Sequence, residues 1–260
     1  MLVDSHCHLD RLDLRDFDGD IGLALKAARE KGVAHVLCVG IDFEAYPAMM
    51  ELVRRFPFVS ATVGVHPNEQ GGEEPTIERL VAEARDPDIV AIGETGLDYF
   101  RSQGNVEWQR ERFRVHIRAA RASRLPLVVH TRDAMVDTLR ILREEGAGDV
   151  GGVMHCFTGT AAEAKEALDL GFHISFSGIV TFPTAGDIRD AAASVPTDRL
   201  LVETDSPYLS PLPYRGKSNQ PAWVTYVAAT VAQIRGVSAE ELAVQTTANF
   251  QRLFNITCQA

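Results

Sequence analysis

The chain of 260 residues is long enough for two small domains or for one (β/α)8 barrel, a fold that typically takes about 250 residues. Hydrophobic residues at 45% and charged residues at 24% are ordinary for a globular protein with a sizeable core and exclude an extended disordered chain. A formal net charge of −10 argues against a protein that grips long duplex nucleic acid through a basic stripe. It leaves room for a small cation-filled pocket, because bound metal ions reverse the local field and can receive a phosphate.

In chain order, short apolar runs alternate with longer amphipathic stretches. The first run, at about 2–5, leads straight into His6-Cys7-His8. Side chains alternate along a strand, so His6 and His8 share a face and Cys7 takes the other. Further runs lie at His35 to Val39, Val59 to Val65, Ile89 to Gly93, Leu125 to Val129, Val150 to Met154, Phe172 to Phe176 and Leu200 to Glu203. Helices are predicted between them at about 18–31, 43–55, 74–85, 106–122, 132–145, 160–170 and 185–194, and after them at 221–235 and 239–254. Near-continuous apolar strands separated by helices indicate a parallel sheet covered on its outside, and eight such units close a TIM barrel as a single domain over 1–260. A doubly wound open sheet is the competing architecture. The barrel is favoured because no Gly-rich dinucleotide loop follows the first strand and polar residues recur after almost every strand.

No apolar run approaches the ~20 residues of a membrane helix, and the segment from Met1 to Asp20 is too acidic for a signal peptide. A cytoplasmic protein without a membrane or an obligatory protein partner is expected. Cys7, Cys38, Cys156 and Cys258 are scattered without a CxxC pair and read as reduced, buried thiols. Residues 70–75, Gln-Gly-Gly-Glu-Glu-Pro, read as a solvent loop.

Parallel strands of a barrel end at one rim, so residues far apart in sequence meet there. The first strand ends in His6 and His8, the third in His66, the fourth in Glu94 to Asp98, the fifth in His130, the sixth in His155, and the eighth in Glu203-Thr204-Asp205. His35, His116 and His173 stand elsewhere and are assigned to strand starts or a helix surface. Such a set exceeds what one tetrahedral ion uses and implies two divalent cations, zinc, magnesium or manganese. His6, His8 and Asp205 group on one ion and His130 and His155 on the other. Glu94 bridges by elimination, since none of Lys26, Lys31, Lys165 and Lys217 ends a strand and Glu94 is the carboxylate that ends the fourth. Asp98 is read as a loop or cap residue rather than a ligand. Asp205 is the expected base as well as a ligand, with Glu203 the competing assignment.

The segments Asp4-Ser5-His6-Cys7-His8-Leu9, Gly64-Val65-His66-Pro67, Gly93-Glu94-Thr95-Gly96-Leu97-Asp98 and Glu203-Thr204-Asp205-Ser206-Pro207-Tyr208 resemble the TatD family of metal-dependent hydrolases. So do His130-Thr131-Arg132-Asp133-Ala134, His155-Cys156-Phe157-Thr158-Gly159, Phe176-Ser177-Gly178 and residues 215–221. The resemblance spans nearly the whole chain. It implies a TIM-barrel hydrolase of the amidohydrolase superfamily, with His6, His8, Glu94, His130, His155 and Asp205 as metal ligands and a deoxyribonuclease activity described for several members.

The substrate is the least constrained element, because one scaffold serves many reactions. Arg132 follows a strand that ends in a ligand, and Arg215 and Lys217 lie after the eighth strand, where barrels often hold phosphate. They either grip a phosphodiester or are solvated loop charges. His66 either contacts substrate or orients a ligand, and Glu203 either contacts substrate or supports the ligand shell. Tyr99 and Phe100 either stack a terminal base or pack a lid. The expected activity is cleavage of phosphodiester bonds at nucleic-acid ends or in short DNA. The alternatives are a small-molecule amidase, lactonase or ester deacylase on the same metal-dependent barrel, and a metal-binding protein without turnover.

Overall fold

The computed structural model describes residues 1–102 and 104–258. Among the described residues the strands are β1 (Leu2–Cys7), β2 (Val33–Cys38), β3 (Val59–Val63), β4 (Ile89–Asp98), β5 (Leu127–Arg132), β6 (Gly152–Met154), β7 (Phe172–Phe176) and β8 (Leu200–Val202). The helices are α1 (Ile21–Glu30), α2 (Tyr46–Val53), α3 (Ile77–Glu83), α4 (Glu107–Ser123), α5 (Met135–Glu144), α6 (Ala161–Asp169), α7 (Gly186–Ser194), α8 (Val224–Arg235) and α9 (Ala239–Phe254). The strands pair in parallel in sequence order from β1 to β8. This is the (β/α)8 barrel, a single domain.

Among the described residues, the seam between β8 and β1 carries a single bridge, Cys7 to Ser206. It is pinned beyond that bridge by polar contacts: Asp205 N donates to His6 O at 2.9 Å and His8 N to Ser206 O at 2.8 Å. The carboxylate of Asp4 accepts from Thr204 N at 2.8 Å and from Thr204 Oγ1 at 2.6 Å. The closing contacts therefore fix the same two strand ends that carry His6, His8 and Asp205.

Alternation along each strand divides the apolar side chains into two layers. Leu127, Val129, Met154, Leu200 and Val202 belong to the larger cluster shared with the helices. Val3, Leu37, Val128, Val153 and Leu201 form a second cluster with Phe250, Phe254 and Cys258. The second cluster is the barrel interior, and α9 covers its N-terminal end. His35 lies there, with its ring centroid 5.6 Å from that of Phe250 and its Nε2 2.9 Å from Ser60 Oγ. Two residues beyond Val128, Val153 and Leu201 stand His130, His155 and Glu203, so the apolar interior column is continued upward by a polar layer.

Several strand boundaries differ from the sequence expectation by a few residues, and at two of them the reason is a local bulge. β1 continues through Cys7 and β4 through Asp98, with register shifts between Asp4 and Cys7 and between Ile92 and Thr95. Each shift inserts one extra residue into the strand, a bulge that twists the chain and re-aims a side chain. His6 lies in the first and Glu94 in the second. Gly96, at φ 135°, passes β5 so closely that a Cβ there would stand 2.0 Å from His130 O. A glycine is required for that approach.

His116 is not on a helix surface. It is fully buried in α4, where Nδ1 bonds Arg112 O at 2.8 Å and Nε2 accepts from Val65 N at 3.0 Å. His35 and His173 are buried within β2 and β7. Among the described residues no helix is long and apolar enough to cross a membrane.

Candidate metal centre

Four side-chain atoms converge at the end of β1. Nε2 of His6 is 3.4 Å from Nε2 of His8, 3.3 Å from Oε2 of Glu94 and 3.7 Å from Oδ1 of Asp205. Nε2 of His8 is 3.7 Å from Oε2 of Glu94 and 3.5 Å from Oδ1 of Asp205. Ligands about 2.1 Å from a tetrahedral ion stand about 3.4 Å from one another, so these separations match the edges of one coordination shell.

A second group surrounds the other oxygen of Glu94. Oε1 is 2.9 Å from Nε2 of His155, 3.1 Å from Nδ1 of His130 and 3.3 Å from Nε2 of His66. Nδ1 of His130 and Nε2 of His155 are 3.4 Å apart. Glu94 thus presents one oxygen to each group. The clusters able to hold an ion include His6, His8 and Asp205, then His66, Glu94 and His130, and also His6, His155 and Glu203. Buried Nδ1 of His6 and Oε2 of Glu203 have no hydrogen-bond partner among the described residues. Imidazoles and carboxylates at these separations, with buried polar atoms left unpartnered in the same cluster, fit divalent cations.

The far side of the rings is held as well. Nδ1 of His8 is 3.0 Å from Val39 O, Nε2 of His130 is 3.2 Å from Oδ2 of Asp98, and Nδ1 of His155 is 3.2 Å from Oε1 of Glu203. Such partners fix which ring nitrogen faces an ion. Asp98 is therefore more than a cap, although it also caps: Oδ1 accepts from Arg101 N at 2.9 Å, while Oδ2 accepts from Asn68 Nδ2 at 2.8 Å. Glu203 also accepts from Cys156 N at 2.7 Å. It stands below His155, away from Asp205's position facing His6 and His8.

Burial keeps the His6 and His66 rings below the usual imidazole pKa, against the pull of Glu94. Burial alone would raise the Glu94 carboxyl, but His155, His66 and His130 outweigh it and hold the group well below the usual range. Burial likewise opposes ionisation of Asp205, and its contact with His8 and the charges of His6 and His155 prevail, so it too is lowered. Burial opposes protonation of His8, His130 and His155, but Asp205 beside His8, Asp98 beside His130, and Glu94 with Glu203 beside His155 outweigh it and raise all three rings, so the centre holds two ionised carboxylates among imidazoles of both kinds. Asp205 occupies a left-handed backbone conformation with φ 56°. For a side chain other than glycine this stores strain, which the bonds from Asp205 N to His6 O and from Tyr208 N to Asp205 O retain.

A supporting layer was missed from sequence. On one face of α4, Gln109, Arg112 and His116 are all buried. Gln109 accepts from Asp98 N at 3.0 Å and donates to Pro67 O at 3.0 Å. Arg112 donates to His66 O at 3.1 Å and Glu69 O at 2.7 Å, and pairs with Glu74. Together they hold the turn that carries His66 against the end of β4. Their spacing of three and four residues was visible, but it fits a solvated helix face equally well.

Arg132, Arg215 and Lys217 are exposed, and among the described residues none has a carboxylate within 4.0 Å. Each lies instead over an aromatic ring: Arg132 over Phe100 at 3.9 Å, Arg215 over Phe182 at 4.7 Å and Lys217 over Tyr214 at 5.7 Å. Lys217 also lines a cleft of about 390 Å³ with Arg15, Phe17 and Asn219. Asn219 Nδ2 donates to Thr204 O at 2.9 Å, which places that cleft beside Asp205. Tyr99 is packed rather than open, since its hydroxyl donates to Asp137 at 2.7 Å and accepts from Arg110 at 2.9 Å.

Comparison with known proteins is consistent with this geometry. The family model described as "TatD related DNase" matches residues 3–255. The chain is 51% identical over 255 residues to the metal-dependent hydrolase YcfH of Escherichia coli K12, covering 98% of this chain and 96% of that protein. It is 35% identical over 249 residues to a protein of Citrobacter koseri named "3'-5' ssDNA/RNA exonuclease TatD", covering 94% of each. The crystal structure of YjjV, a TatD homologue of Escherichia coli K12, superposes with a TM-score of 0.91 at 28% identity and 98% coverage of both chains.

Proposed function

Because this chain belongs to the TatD family of metal-dependent hydrolases, we propose that it is a deoxyribonuclease-type hydrolase that cleaves phosphodiester bonds at nucleic-acid ends, using two divalent cations. The observation that carries this reading is the placement of Glu94, with one carboxylate oxygen facing His6 and His8 and the other facing His130 and His155. His6, His8 and Asp205 would hold one ion and His130 and His155 the other, with Glu94 between the two groups. His66, 3.3 Å from Glu94, would orient that carboxylate or contact substrate. When bound, two such ions activate water near neutral pH and stabilise the charge of a phosphoryl group in displacement.

The remaining work falls to the chain itself. Asp205 accepts the proton of the attacking water, its carboxylate being ionised and facing the centre. Glu203 holds His155, and Asp98 holds His130, so that Nε2 and Nδ1 respectively face Glu94. Arg132, Arg215 and Lys217, free of carboxylate partners, supply the positive charge that draws a phosphodiester strand toward an otherwise acidic protein. The relative named as a single-stranded DNA and RNA exonuclease supports the same substrate class. We place the protein in the cytoplasm, a reading supported by its scattered reduced thiols.

The test is direct. Protein stripped with chelator and reloaded separately with zinc, magnesium or manganese is incubated with end-labelled single-stranded DNA, duplex DNA and RNA, and with amide, lactone and ester substrates. Metal-dependent shortening of strands from an end is expected, with up to two ions bound per chain. Turnover confined to the amide, lactone or ester panel would overturn the nucleic-acid reading.

A further inference from the structure

We propose that Tyr208 and the Phe100–Arg132 pair are two base-stacking platforms at opposite ends of the ligand row, holding the nucleobases on either side of the phosphodiester to be cleaved. The inference rests on the nucleic-acid reading above and assigns residues to it that the metal centre does not use.

Phe100 is 61% exposed and Tyr208 51% exposed, and both stand at the rim that holds the metal ligands. Two half-exposed rings beside a reactive centre keep apolar surface in water that a stacked occupant would cover. Other rim aromatics have one already. Tyr99 is tied to Asp137 and Arg110, and Tyr214 stacks on Trp223 with centroids 4.2 Å apart and planes 6° from parallel.

Tyr208 is carried rigidly. Its N donates to Asp205 O at 2.9 Å, and its O accepts from Asn219 Nδ2 at 2.6 Å. The ring meets that of His8 edgewise, centroids 6.0 Å apart. One platform therefore sits at the His8 and Asp205 end. At the other end, Phe100 lies two residues beyond Asp98 and Arg132 two beyond His130, and those two anchors touch. The Arg132 guanidinium covers the Phe100 ring at 3.9 Å, and a guanidinium plane is itself a surface on which bases stack. Glu94 lies between the two ends. A phosphodiester held over it has one neighbouring base directed to each platform. Stacking of this kind accepts any base, because every base has a π-face.

The experiment uses a short single strand of DNA with a normal base or an abasic residue at each of the two positions flanking the terminal linkage. Binding is read by fluorescence anisotropy in EDTA, where no hydrolysis proceeds, and KM and kcat are read with metal restored. Tyr208→Ala and Phe100→Ala are each expected to weaken binding of the normal strand and raise KM by roughly 10-fold or more, with kcat retained. Tyr208→Phe restores binding, and each alanine variant loses nothing further on the strand abasic at its own position. Unchanged metal content shows that the centre is intact in the variants. Alanine variants that bind and cleave the normal strand like the native protein, or lose equally on normal and abasic strands, overturn the platforms while leaving the nuclease reading in place. Failure of the native protein to cleave any strand, with turnover of amides or lactones, overturns the nuclease reading and the platforms with it.

Discussion

Oδ2 of Asp98 lies 3.2 Å from Nε2 of His130, while Nδ1 of the same ring lies 3.1 Å from Oε1 of Glu94. The carboxylate accepts a hydrogen bond from Nε2–H, which favours the tautomer whose Nδ1 lone pair faces the centre. Asp98→Asn can present an amide donor to Nε2 instead, which moves the proton to Nδ1 and removes that ligand. A loss of roughly 10–100-fold in affinity for one of two ions is expected. Competition with a chelating dye measures it, and an unchanged second affinity would show that Asp98 serves only the turn at Arg101.

The rim cations make a separate prediction, because they touch no metal ligand. Replacing Arg132, Arg215 or Lys217 by alanine should raise KM for a DNA strand, leave kcat near its native value and lower the salt dependence of binding by about one counterion each. The same variants should leave hydrolysis of a small neutral ester unaffected. Equal KM values for DNA across a salt series would assign these residues to plain solvated charge.

The barrel was legible because its strands are buried on both faces and so read as continuous apolar runs, and the rim residues were legible because parallel strands end together. The bulges were not. Glu94 was read as the residue ending a strand at Gly93, whereas β4 continues to Asp98 and the extra residue between Ile92 and Thr95 aims Glu94 at the centre. Nothing in the identity of Ile92 to Thr95 announces a register shift, which is a property of the pairing with β5. Asp98 was read as a cap for a similar reason: one carboxylate can serve Arg101 N and His130 at once, and sequence proximity shows only the first. His116 was assigned to a strand start or a helix surface because a polar ring on a helix normally faces water, and Arg112 was not singled out, while here the turn from Val65 to Glu69 supplies buried backbone partners to both.

His116 makes stability pH-dependent. Its pKa is lowered from 6.5 to about 4, chiefly by burial, while Nε2 must stay unprotonated to accept from Val65 N. Between these values the unfolded chain binds a proton that the folded chain refuses. This contribution is therefore fully present above pH 6.5 and lost as pH falls toward about 4, with a slope of about 1.4 kcal/mol per pH unit for one proton. His35 and His173 are depressed by burial in the same direction. His116→Gln keeps a donor and an acceptor without titrating. Urea midpoints measured in EDTA across this range should fall less steeply for the variant than for the native chain. Parallel curves would remove His116 from the account.

The assignment of the base turns on two carboxylates of one strand end. Asp205 Oδ1 stands 3.7 Å from Nε2 of His6 and 3.5 Å from Nε2 of His8, so it faces the place where water would be activated. Glu203 faces Nδ1 of His155 and the amide of Cys156, grouped with His6 and His155 rather than with His8 and Asp205. In Asp205→Asn the remaining atoms of His6, His8 and Glu94 still converge, so much of the metal should stay bound while turnover falls by roughly 10²–10⁴-fold, the range for loss of a general base. Glu203→Gln retains an oxygen for Cys156 N and should cost less, through a weakened hold on His155. Turnover and metal content of both variants, measured on one DNA strand, separate the two roles: near-native rates in Asp205→Asn beside an inactive, metal-replete Glu203→Gln would transfer the proton-accepting role to Glu203.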